Sequence, residues 1–99
     1  MITASQCRAA RALTDVSRAI LADQSGVSED VIREFENKLS KPDDATINAL
    51  QAALESLGAL FIAENGGGIG VRLKFTRSEA RRIAQMENEG GPTAFDEVP

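Results

Sequence analysis

The sequence predicts a mainly α-helical fold of four or five helices with a C-terminal β-hairpin, and three observations predict it. Apolar residues recur at three- and four-residue spacing up to Gly58, as on a helix packed along one face. The period then drops to two, where Ile69, Val71, Leu73 and Phe75 alternate with Gly70, Arg72 and Lys74. Residues that start or stop helices, among them Ser17, Gly26, Ser28, Pro42 and Gly58, stand between the periodic segments.

Thr3 and Gln6 have the spacing of a capping box, so the first helix starts near Ala4 and runs through Cys7, Ala10 and Leu13. Ser17 caps a second helix over 18–25. Gly26 suits a C-terminal position of positive φ, because it has no Cβ to clash. Ser28 caps a third helix that ends near Asn37, and Pro42 blocks its continuation. A fourth helix begins at Asp43, Asp44 or Thr46, where acids suit the helix dipole; Ile47, Leu50, Leu54 and Leu57 line it, and Gly58 closes it.

Leu60-Phe61-Ile62-Ala63 and the alternating run after Ile69 flank Glu64-Asn65-Gly66-Gly67-Gly68, so 60–75 reads as the hairpin. An isolated hairpin is marginal in water, so this one must cover the helices or pair with another copy. Thr76 and Glu79 form a second capping box, and Ala80, Ile83 and Ala84 share a face, which places a fifth helix over 77–88. Gly90-Gly91-Pro92 ends it, and 90–99 reads as a disordered acidic tail with Phe95 as its one bulky side chain. The organisation is therefore 1–58 as the helical domain, 59–89 as hairpin plus helix, and the tail.

Composition narrows the function classes. The 99 residues are 42% hydrophobic and 26% charged, with four Phe as the only aromatics, so the core is aliphatic. No run approaches the roughly 18–20 apolar residues of a membrane span. The first residues lack the layout of a signal peptide, and one cysteine allows no internal disulfide, both in keeping with the cytoplasm. Without His, and with Cys7 alone, neither a zinc site nor a histidine-dependent triad can form; no cofactor and no enzymatic activity are expected. The net charge is −4, but it is segregated. Over 72–82, Arg72, Lys74, Arg77, Arg81 and Arg82 stand against Glu79 alone, whereas 83–99 holds Glu87, Glu89, Asp96 and Glu97 with no Lys or Arg.

The richest segment is Arg18 to Phe35. It reads as two short helices joined at Ser25-Gly26-Val27-Ser28. Ala22 is small enough to let them approach, and Ile20, Leu21, Val27, Ile32 and Phe35 form the apolar wedge between them. That combination is a helix-turn-helix, whose second helix usually enters a DNA major groove.

Residues 3–58 resemble the phage-repressor-like helix-turn-helix family, of Cro/cI or XRE type. The resemblance is carried by Leu13, Ser17-Arg18, Ile20-Leu21-Ala22, Gly26-Val27-Ser28, Ile32, Glu36-Asn37 and Pro42. It implies a small bacterial or phage transcriptional regulator that binds a palindromic operator as a homodimer. It also implies roles: Arg18 clamps phosphate, Lys38 and Lys41 meet the backbone beyond the third helix, and Glu29, Asp30, Arg33 and Glu34 face bases. Arg11 and Glu36 match a structural ion pair of the family. The hairpin, through Phe61, Val71, Leu73 and Phe75, is the expected dimerisation element.

The base-facing set departs from the polar or basic residues usual there. Acids can accept from cytosine N4, but three of them oppose the electrostatic term that normally dominates affinity. The dipole of the third helix accounts for Glu29 and Asp30, not for Glu34. The competing reading is a protein-interaction module, an anti-regulator or antitoxin, that uses this fold with weak or no DNA binding. Gly66-Gly67-Gly68-Ile69-Gly70 is not a phosphate-binding loop, since a strand rather than a helix follows it and no Lys-Ser/Thr pair is present.

Overall fold

The computed structural model describes residues 1–75. Four helices, α1 (Ala4–Thr14), α2 (Arg18–Ser25), α3 (Glu29–Glu36) and α4 (Asp44–Ser56), precede two short strands, β1 (Ala59–Ile62) and β2 (Gly70–Leu73). The strands pair antiparallel, in the register Ala59↔Leu73 to Ile62↔Gly70. The fifth helix expected over 77–88, the acidic tail, and Arg77, Arg81 and Arg82 lie outside the described residues.

Each helix starts where a short polar side chain can accept from an otherwise unpaired N–H group. Thr3 accepts from Gln6 N–H, Ser17 from Ile20, Ser28 from Val31 and Asp43 from Thr46. Of the three starts offered for α4, Asp43 is the cap. The chain leaves α2 through Gly26 at φ 77°, where an added Cβ would touch nothing within 4 Å. The demand for glycine there is thus torsional rather than steric crowding. After α3 the left-handed residue is Lys38 (φ 61°), one position later than Asn37.

The core joins all four helices. Leu21, Ile32, Ile47, Leu50 and Leu54 are fully buried, with Cys7 and Ala10 of α1 and Phe35 of α3 packed among them. Ile20 is not part of this wedge: it is 48% exposed. Neighbours on a helix point about 100° apart, and with Leu21 centred on the buried face of α2, Ile20 falls at its edge. Leu13 is likewise exposed, because the inward stripe of α1 is Cys7, Ala10, Arg11 and Thr14.

The sheet leans on this core. Ala59 is fully buried, and Phe61 and Val71, which face each other across the strands, pack against the core. Gln6 fastens the far end of the sheet to α1. Its Oε1 accepts from Thr3 N–H (3.0 Å), while its Nε2 donates to the carbonyls of Gly70 (2.8 Å) and Ile62 (3.4 Å). Phe61 and Val71, expected at a dimer contact, are thus half-buried against their own chain. Leu73 is half-buried and Phe75 is exposed.

Replacing Gln6 by Ala removes half of the capping box and leaves two sheet carbonyls short of a donor. Leaving a fully buried group unsatisfied costs about 1–3 kcal/mol. These carbonyls are on half-buried residues, so urea denaturation should show a stability loss of up to that order. Gln6→Glu should not restore it, because a carboxylate cannot donate to the carbonyls.

Candidate nucleic-acid interface

Helices α2 and α3 meet at the Gly26 corner, and α3 is divided lengthwise by what its residues touch. Ile32, Phe35 and Glu36 point into the protein and are buried. Glu29 and Asp30, in the first turn, are exposed, and Arg33 and Glu34 each leave 43% of their side chain accessible. The four residues expected to face bases therefore share the outer side of one helix.

These outer residues interact with each other. Arg33 Nη2 lies 3.3 Å from Asp30 Oδ1 and 4.0 Å from Glu34 Oε2. Ser40 Oγ donates to Glu34 Oε1 at 3.3 Å. The one cation of the face is shared between two carboxylates. Lys38 and Lys41 stand exposed beyond the end of α3, as a contact to a flanking backbone would need.

Behind the face lies a buried charged network. The Glu36 side chain has no solvent exposure. Arg11 grips it with two bonds, Nη2 to Oε1 and Nε to Oε2, both 2.7 Å, and its Nη1 donates to the Val16 carbonyl at 3.2 Å. The bidentate pair matches the structural role given to Arg11 and Glu36. Two further partners were not foreseen: Arg18 Nε donates to Oε1 at 3.0 Å, and Cys7 Sγ to Oε2 at 3.3 Å. Arg18, expected only as a phosphate contact, is therefore part of the internal network, with 34% of its side chain accessible. Sequence spacing carries no signal for that contact, because it depends on how α2 crosses α3.

The titration of these groups follows from their surroundings. Burial pushes the Glu36 carboxyl up, but hydrogen bonds from Arg11, Arg18 and Cys7 outweigh it and hold the group below its ordinary value. Burial, and then the neighbouring Glu36 charge, push the Cys7 thiol up to about 12. A thiol so placed is not a nucleophile near neutrality.

Next to the corner an open hollow of about 550 Å³ is lined by Ala19, Ala22, Asp23, Gly26, Val27 and Ser28. It offers one carboxylate and no cation. Among the described residues no three His, Cys, Asp or Glu side chains converge as metal ligands would. The loop at Gly66–Gly68 is closed by its own acid, as Glu64 Oε2 accepts from the N–H groups of Gly66 (3.2 Å) and Gly68 (3.3 Å). No protein-family model matches the chain, and no curated protein matches it.

The folded protein depresses the Glu36 pKa, so the stability this group supplies is present above the ordinary carboxylate range. It is lost as pH falls through the folded value. Glu36→Gln should cost about 3–5 kcal/mol at neutral pH, the usual effect of stripping one partner from a buried pair. Denaturation series at several pH values should show the gap between the two proteins narrowing on acidification. The raised Cys7 pKa works at the other end: its contribution is intact below about 9 and is lost as pH rises towards about 12. Cys7→Ala should remove that alkaline component.

Proposed function

We propose that this chain is a sequence-specific, double-stranded-DNA-binding transcriptional regulator built on a repressor-like helix-turn-helix, with α2–Gly26–α3 as the reading unit. The observation that carries this reading is the division of α3. Its inner row is locked into the core while Glu29, Asp30, Arg33 and Glu34 line an accessible outer side. On a duplex, α3 would lie in the major groove, with Arg18 on phosphate at the start of α2 and Lys38 and Lys41 on the flanking backbone.

The acids on this face are the point on which magnitudes decide. Exposed ion pairs such as Arg33–Asp30 are worth about 0–1 kcal/mol, whereas a bidentate Arg–guanine contact is worth about 1–3 kcal/mol. Arg33 can therefore leave its neighbours for a base. Glu29, Asp30 or Glu34 can accept from cytosine N4, which would make cytosine selection a property of the site. Acting as a homodimer, two copies would set their reading helices about 34 Å apart on a palindromic operator. The outward Phe75 and part of Leu73 are available to a second copy.

A second reading is favoured by the same ion pairs. A face whose only arginine is neutralised by Asp30 and Glu34 also suits a basic protein surface, and the chain would then be an anti-regulator or antitoxin module.

Selection of bound fragments from a random or genomic DNA pool separates the two. Enrichment of a palindrome supports the regulator and its dimeric symmetry. Failure to retain any duplex, even in low salt, points to the protein partner. On an enriched site, Arg33→Ala should weaken binding by about 1–3 kcal/mol and relax the preference at one base pair.

A further inference from the structure

We propose that Glu36, buried where no ligand can touch it, is a positioning residue for DNA binding: it holds the Arg18 guanidinium pre-set at the amino end of α2 for a phosphate. This inference rests on the DNA-binding reading above and adds to it the device that prepares the contact.

The geometry supports it at three points. Arg18 is bound through Nε, at 3.0 Å from Glu36 Oε1. A guanidinium is planar, so anchoring Nε fixes the direction of the whole fork and leaves both terminal nitrogens for an outside acceptor. Among the described residues, neither terminal nitrogen of Arg18 is engaged in a hydrogen bond or ion pair, and a third of the side chain is accessible.

The anchor itself cannot drift. Glu36 is held through both oxygens by Arg11, whose remaining nitrogen is tied to the Val16 carbonyl beside the cap of α2. Arg18 is thus referenced to α1, to the start of α2 and to α3 together. A free arginine samples many rotamers, and part of that freedom is already lost here before any phosphate arrives.

Charge points the same way. Two guanidinium groups share one carboxylate, so the network carries a surplus positive charge beside the first turn of α2, which contains no acid. The unpaired N–H groups of that turn add to the attraction for an anion. Lysine could not substitute: it has a single charged centre, which either pairs with Glu36 or reaches outward.

The experiment measures affinity and its salt dependence on an enriched duplex, or on random-sequence duplex in low salt if none is enriched. It compares the wild type with Arg18→Ala, Arg18→Lys, Glu36→Gln and the double variant Arg18→Ala/Glu36→Gln. Arg18→Ala should weaken binding roughly tenfold or more and lower the salt slope by about one phosphate. Arg18→Lys, despite its charge, should lose most of that affinity. Glu36→Gln should weaken binding when Arg18 is present and have no further effect when it is Ala. Equal effects of Glu36→Gln in both backgrounds, or wild-type affinity in Arg18→Lys, would overturn the proposal. If Glu36→Gln does not fold, Arg18→Lys alone decides. A wild type that binds neither duplex removes the DNA-binding reading itself, an outcome distinct from a bound wild type with additive variants.

Discussion

A carboxylate removed entirely from water is the constraint around which the helical part of this protein is arranged. Moving such a group out of solvent costs several kcal/mol even after relaxation, and it is tolerable only where donors surround it. Glu36 has four: two from Arg11, one from Arg18 and one from Cys7. Those donors come from α1 and α2 and the carboxylate from α3, so the three helices must hold one relative placement for the charge to be satisfied. A hydrophobic core of Leu, Ile and Ala tolerates small slips. A buried ion with directional partners does not.

That placement has a consequence for the outer surface. The network locks the inner side of α3 at Glu36, with Ile32 and Phe35 packed beside it, and so determines which residues of the helix face out. Glu29 and Asp30 are exposed, and Arg33 and Glu34 half-exposed, because their neighbours on the opposite side are committed to the interior. Structure and candidate function meet in this one helix, where a stability element lies on one side and a prospective reading surface on the other.

The sheet is joined to the helices by a second polar device, with different physics. Gln6 is neutral and nearly buried, and it uses both ends of its amide: one end caps α1, and the other closes the carbonyls at the end of the strand pair. With Ala59 in the core and Phe61 and Val71 against it, a two-stranded sheet too small to persist alone becomes part of the same folded unit. Ala59, Phe61 and Val71 therefore serve the chain's own interior, while Leu60 and Ile62 lie half-buried on the opposite face of the sheet and Phe75 beyond it is exposed.

Much of this was legible in the amino-acid order, because it depends on interactions only a few residues apart. Thr3, Ser17, Ser28 and Asp43 cap helices through contacts three positions away, Gly26 marks the corner through its own torsion angle, and the change of period after Gly58 marks the strands. The Arg11–Glu36 pair was legible only through a resemblance, since nothing in a separation of 25 residues makes them neighbours. The outward turn of Ile20, the second role of Gln6, the capture of Arg18 by Glu36 and the pairing of Arg33 with Asp30 and Glu34 were settled by the tertiary structure. Local order chooses where helices and strands begin and end. Which of two adjacent apolar side chains turns inward, and which acid an arginine finds, depends on how separate elements cross in space.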